Sequence, residues 1–131
     1  MYEYGAKLLK TVDGDTASLM LDLGFNIHLE VEVRFKGINA PETHSTNPLE
    51  KEAALHAAAQ LNLLLARGPL TVKTERTSKN DIGDKQEKYG RYLATVINGA
   101  GLNVNEEMLK TGNAISYDGS GARPAWPWKK A

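Results

Sequence analysis

Between Val33 and Glu42 the chain reads Val-Arg-Phe-Lys-Gly-Ile-Asn-Ala-Pro-Glu, which places a guanidinium at Arg34, an amide at Asn39 and a carboxylate at Glu42. A guanidinium fork grips oxyanions through paired N–H donors. A carboxylate at a fixed position can orient water or take its proton. A second short stretch, Asp13-Gly14-Asp15, supplies two more carboxylates. Asp13, Asp15 and Glu42 can converge if that turn lies beside the end of the strand that carries Arg34. Taken alone, each stretch has a plainer explanation. Arg34 can pair with a neighbouring glutamate on a solvated strand face, and an Asp-Gly-Asp sequence is most often only a turn.

The elements that must position these groups follow from patterning. From Ile27 the chain alternates, with Ile27, Leu29, Val31, Val33 and Phe35 apolar and His28, Glu30, Glu32, Arg34 and Lys36 polar. A period of two is the signature of a strand with one buried and one wet face. Gly37 ends the alternation and Pro41 drives Ala40 out of the helical region, so the chain turns there. Upstream, Tyr4 to Val12 is strand-like, and Asp13 to Thr16 is a turn whose glycine permits the backbone geometry. Leu19, Leu21 and Leu23 mark a second strand, joined through Gly24 to Asn26 to the long one, so that residues 16–36 form a hairpin.

After a polar loop, Asn47 caps a helix with Pro48 in its first turn and Glu50 three residues on. Its Ala and Leu face serves packing, and it stops at Gly68-Pro69. Leu70 to Glu75 is a fourth strand. Thr77 to Lys88 is polar and aperiodic, a mobile loop. Tyr92 to Ile97 is a fifth strand, and Asn105 caps a short helix through Lys110, ended by Gly112. The tail from Asp118 shows no period. The class is α+β, mainly β: a five-stranded closed barrel with the main helix between strands 3 and 4 and a short helix after strand 5.

At 131 residues, the chain suits one domain spanning 1–131. With no cysteine, disulfides, thiol catalysis and cysteine-ligated metals are excluded. No signal peptide is visible and no apolar run reaches membrane-span length, so a cytoplasmic chain without membrane association is expected. Sixteen basic residues balance sixteen acidic ones, so any nucleic-acid binding needs a local basic patch. A monomer is expected.

Taken together, Val12-Asp13-Gly14-Asp15-Thr16, Val33-Arg34, Gly37 through Glu42, Glu52-Ala53 and Lys88-Tyr89-Gly90-Arg91-Tyr92-Leu93-Ala94 resemble the staphylococcal nuclease (thermonuclease) family. Val104-Asn105, Gly112 and Ala114 continue the resemblance, which covers residues 4–117 with every motif in family order. It implies an oligonucleotide-binding (OB) fold and a calcium-dependent phosphodiesterase, a nuclease acting on DNA and/or RNA. The implied metal ligands are Asp15, Asn39, the Ala40 carbonyl and Glu42, with Asp13 behind them. The implied phosphate-binding arginines are Arg34 and Arg91, with Lys88, Tyr89 and, approximately, Tyr117 near the nucleotide.

The residue types suit that chemistry. A phosphodiester in flight gathers negative charge that two guanidinium forks and a divalent cation can hold. Calcium (Ca2+) takes hard oxygen ligands, and Glu42 is the candidate to orient or deprotonate the attacking water. Asn39 departs from the family pattern by replacing a carboxylate ligand with a neutral amide. Tyr117 matches a family tyrosine only approximately, and the family's long C-terminal helix has no clear counterpart after Asp118. His28, His44 and His56 lack ligand spacing. Trp126 and Trp128 are read as covering the barrel's open end in preference to stacking bases. The alternative is a non-catalytic nucleic-acid-binding or interaction module of the same fold; the survival of Asp15, Arg34, Glu42 and Arg91 favours the enzyme.

Overall fold

A computed structural model describes residues 2–74, 91–119, 122 and 124–127. The loop expected at 77–88, with Lys88 and Tyr89, lies outside them. The described elements are strands β1 (Tyr2–Asp13), β2 (Thr16–Asp22), β3 (His28–Phe35) and β4 (Ile38–Asn39), helix α1 (Pro48–Leu65), strands β5 (Leu70–Thr74) and β6 (Tyr92–Ile97), helix α2 (Val104–Lys110) and strand β7 (Ile115–Ser116).

Five strands close a barrel in the order β1-β2-β3-β6-β5, as the α+β, mainly β reading expected. Most neighbours are antiparallel. The closing β3–β6 seam is parallel and short, pairing Val33 with Tyr92, Arg34 with Leu93 and Phe35 with Ala94. Inward-facing Leu19, Val33, Phe35, Leu70, Val72 and Val96 fill the interior. Each such side chain removed from water contributes about 1.5–3 kcal/mol. Helix α1 begins where expected, with the Asn47 side chain accepting from the Leu49 and Glu50 N–H groups. It lays Ala54, Ala57, Leu61, Leu64 and Leu65 against the barrel. No helix among the described residues is long and apolar enough to cross a membrane.

Three local expectations are corrected. The alternation of β3 holds only toward its end: Val31, Val33 and Phe35 are buried, whereas Ile27 is 53% and Leu29 47% exposed. The cause is topological. Among the described residues, β6 pairs only with the last three residues of β3, and the first half of β3 has no neighbour strand on that side. The hairpin tip beyond it presents Phe25, 97% exposed, in left-handed backbone. The cap of α2 is Asn103, whose side chain accepts from the Glu106 N–H. Asn105 is instead buried within the first turn, donating to the Lys36 and Ala94 carbonyls and accepting from the Val96 N–H. Finally, β4 and β7 form a small ribbon that periodicity does not announce, because two residues are too few to show a period. It binds the segment after β3 to the segment after α2.

Candidate active site

The site starts at the turn between β1 and β2. Asp13 pairs with Thr16, and the Asp13 Oδ1 accepts the Asp15 N–H at 3.1 Å, an Asx turn that fixes Asp15. Gly14 is not in left-handed backbone. It is required for space: a Cβ there would lie 2.7 Å from the Ala40 Cβ and 2.8 Å from the Ala57 Cβ. The turn is thereby pressed between α1 and the loop after β3.

Asp15 is buried and serves as the hub. Its Oδ2 accepts the Ala40 N–H at 2.9 Å and faces the Arg34 Nη1 at 3.4 Å. Its Oδ1 accepts the Thr16 hydroxyl at 3.0 Å, and the Thr16 Oγ1 accepts from the Arg91 Nη1 at 3.2 Å. Its carbonyl accepts the Phe35 N–H at 2.8 Å. Arg34, which alternation placed on a wet face, is buried, and its Nη1 also donates to the Phe35 carbonyl. Two guanidinium groups separated by 57 positions in sequence are thus drawn to one aspartate–threonine pair. Burial, together with the Asp15 carboxylate, pushes Asp13 up from 3.8 to about 7; Arg34 pulls the other way without prevailing.

Beside this hub, a cavity of about 270 Å³ is lined by Asn39, Ala40, Glu42 and Glu50, with the tail segment around Trp126 opposite. Asn39 is buried and Glu42 exposed at the rim. The loop carrying Glu42 is anchored by Glu50, whose Oε2 accepts the Glu42 N–H and whose Oε1 accepts the Ser45 hydroxyl. Tyr117 lies elsewhere: it borders a separate cavity with Gly37, and its N–H donates to the Gly37 carbonyl. His28 and His44 are exposed, and the His56 Nδ1 contacts the Asn113 Oδ1.

Among the described residues, no three His, Asp or Glu side chains gather into a metal-holding group, so Asp13, Asp15 and Glu42 do not converge as three carboxylates. The donor chemistry still suits a hard cation. Asp15, Asn39 and Ala40 are all buried, with the Ala40 N–H on the Asp15 Oδ2, and between them they carry carboxylate, amide and carbonyl oxygens.

A family model described as "Staphylococcal nuclease homologue" matches residues 32–125, most of the chain. The chain belongs to the staphylococcal nuclease homologue family. It is also similar to Endonuclease YhcR of Bacillus subtilis (strain 168), 32% identical over 127 residues, which cover 88% of this chain and 9% of that protein. Uncharacterized protein MJ1439 of Methanocaldococcus jannaschii is 31% identical over 133 residues, covering 87% of this chain and 59% of that protein. The chain therefore spans only part of each of these relatives. In this staphylococcal nuclease homologue the fold brings Arg34 and Arg91 to the Asp15–Thr16 pair and sets the Asn39–Glu42 loop beside it. The sequence does not announce Thr16 as the bridge to Arg91 or Glu50 as the anchor of the Glu42 loop, and Trp126, expected as a cover for the barrel's open end, lines the cavity. The position of Glu50 three residues after Asn47 signals only a helix cap.

Proposed function

We propose that this domain hydrolyses phosphodiester bonds of DNA, RNA or both, as a calcium-dependent nuclease. The observation that supports it most strongly is the attachment of both Arg34 and Arg91 to the Asp15–Thr16 pair, beside the cavity bearing Glu42. Preorganised cations in a partly dry setting stabilise developing negative charge more than the same groups in water. Arg34 and Arg91 bind the non-bridging oxygens of the phosphate and hold it beside the cavity. Glu42 orients a water molecule and accepts its proton as the new P–O bond forms and the bond to the leaving oxygen breaks. Calcium, when bound, adds Lewis-acid stabilisation of the same charge. Asp15, Asn39 through its amide oxygen, the Ala40 carbonyl and Glu42 would hold it, with Asp13 behind. Lys88 and Tyr89 are assigned to the nucleotide on the family resemblance, as is Tyr117.

A second reading, a nucleic-acid-binding module without catalysis, draws on the neutral Asn39 and the lack of a three-carboxylate group among the described residues. Purified protein incubated with single-stranded DNA or RNA, with calcium or with chelator, separates the two. The nuclease reading expects cleavage in calcium that chelator abolishes. Binding without cleavage in calcium overturns it in favour of the module.

A further inference from the structure

We propose that Trp126 forms the wall of a subsite for an unpaired nucleobase flanking the scissile phosphate, a specificity element that rests on the nuclease reading. Pro124, Ala125 and Trp126 of the tail line the cavity together with Asn39, Glu42 and Glu50. Trp126 is half-buried. Glu42 is committed to the attacking water and the cation, and the Glu50 oxygens already accept the Glu42 N–H and the Ser45 hydroxyl. Trp126 adds to the same cavity an indole, a broad stacking surface for a planar ring. A nucleobase next to the scissile phosphate is such a ring.

Size and polarity point the same way. About 270 Å³ lies just below the range of small-molecule pockets and admits one base and not a base pair. The base must therefore have left its stack, which selects single-stranded or locally melted nucleic acid. The arginines lie on the hub side of the site and Trp126 across the cavity, so phosphate and base occupy separate ends.

The test uses short single-stranded DNAs holding one cleavable phosphodiester, with both flanking bases intact or with an abasic residue on one side or the other. Trp126→Ala should lower kcat/KM on the intact substrate by about tenfold to a hundredfold, chiefly through KM, the scale of one base–aromatic stack. One of the two abasic substrates should cost the wild type the same factor and cost Trp126→Ala nothing further, the non-additivity of a direct contact. Trp126→Phe should recover most of the loss, and thermal unfolding should show both variants folded. Wild-type kinetics in Trp126→Ala, or losses that simply add, would overturn the subsite while leaving the nuclease reading standing. Faster cleavage by Trp126→Ala would overturn it too and make the tail a barrier. A wild type that cleaves none of these substrates in calcium removes the nuclease reading itself, and the subsite with it.

Discussion

Gly14→Ala tests whether the site is assembled by close packing of the turn at residues 13–16. The added methyl would sit 2.7 Å from the Ala40 Cβ and 2.8 Å from the Ala57 Cβ. Carbon atoms rest about 3.5–4.0 Å apart, so roughly 1 Å of retreat is required. Ala57 is embedded in α1 and fully buried, which leaves the turn and the Ala40 loop to separate. The hydrogen bond from the Ala40 N–H to the Asp15 Oδ2, 2.9 Å long, would open beyond useful range. Overpacking costs about 1–3 kcal/mol, and a lost bond to a charged acceptor about 1.5–3 kcal/mol. We expect about 2–4 kcal/mol less stability in urea titrations, since the two costs overlap. Cleavage measured where the variant is still folded should fall by about 10²-fold, the effect of a misplacement on this scale. Adding Ala40→Gly removes the closest contact and should restore part of both losses. A Gly14→Ala protein with wild-type stability and cleavage would refute the reasoning.

Arg91→Ala should slow cleavage of single-stranded DNA by ~10²–10³ while thermal melting shows an intact fold. Arg34→Ala should match that loss in rate and also cost about 3–5 kcal/mol in denaturant titration, because Arg34 is buried against Asp15 and its removal strands a buried carboxylate. Asp13 rises from 3.8 to about 7, so the folded protein holds a proton that the unfolded chain gives up; its contribution is complete below pH 3.8 and is lost as pH climbs to about 7. Asp13→Asn keeps an Oδ1 acceptor for the Asp15 N–H and should melt higher than wild type at pH 8, by about 1–3 kcal/mol, with a flatter profile between pH 4 and 7. Asn39→Asp should tighten calcium in calorimetric titrations and raise cleavage at limiting metal, while the metal-free variant loses stability to a buried charge. If neither form binds calcium in the presence of nucleotide, the metal site does not exist.

The barrel was legible because its strands and α1 are long enough to show a period and carry their own caps. Asn47, Pro48 and Glu50 mark the helix start within a residue, and β6 occupies the expected Tyr92–Ile97. What eluded the sequence depends on partners distant along the chain. Leu29 reads as buried because alternation reports which face a residue takes, and only pairing reveals whether another layer covers that face. Arg34 reads as wet for the same reason, although the Asp15 carboxylate and the Phe35 carbonyl hold its guanidinium inside. Gly14 was assigned a conformational role and has a packing one. Asn103 and Asn105 are both capping types, and choosing between them needs the buried carbonyls of Lys36 and Ala94 that only the fold brings near. Of the site, the residues carried by turns and strand ends were readable. Thr16 and Glu50 were not, since each acts across the fold.

The parallel seam between β3 and β6 joins residues almost sixty positions apart through three pairs, with Arg34 inside it and Arg91 just before it. Such a junction returns little until a long loop has closed, so its formation is a late event on the folding route. The two guanidinium groups therefore meet only once the barrel shuts, and no partly folded species can present both to a phosphate. An anion bridging them favours the closed barrel over every open form by an amount that grows with its concentration. Amide hydrogen exchange along Val33 to Phe35 and Tyr92 to Ala94 should slow together as a nucleoside bisphosphate is added, coupling occupancy of the site to the closure of the chain.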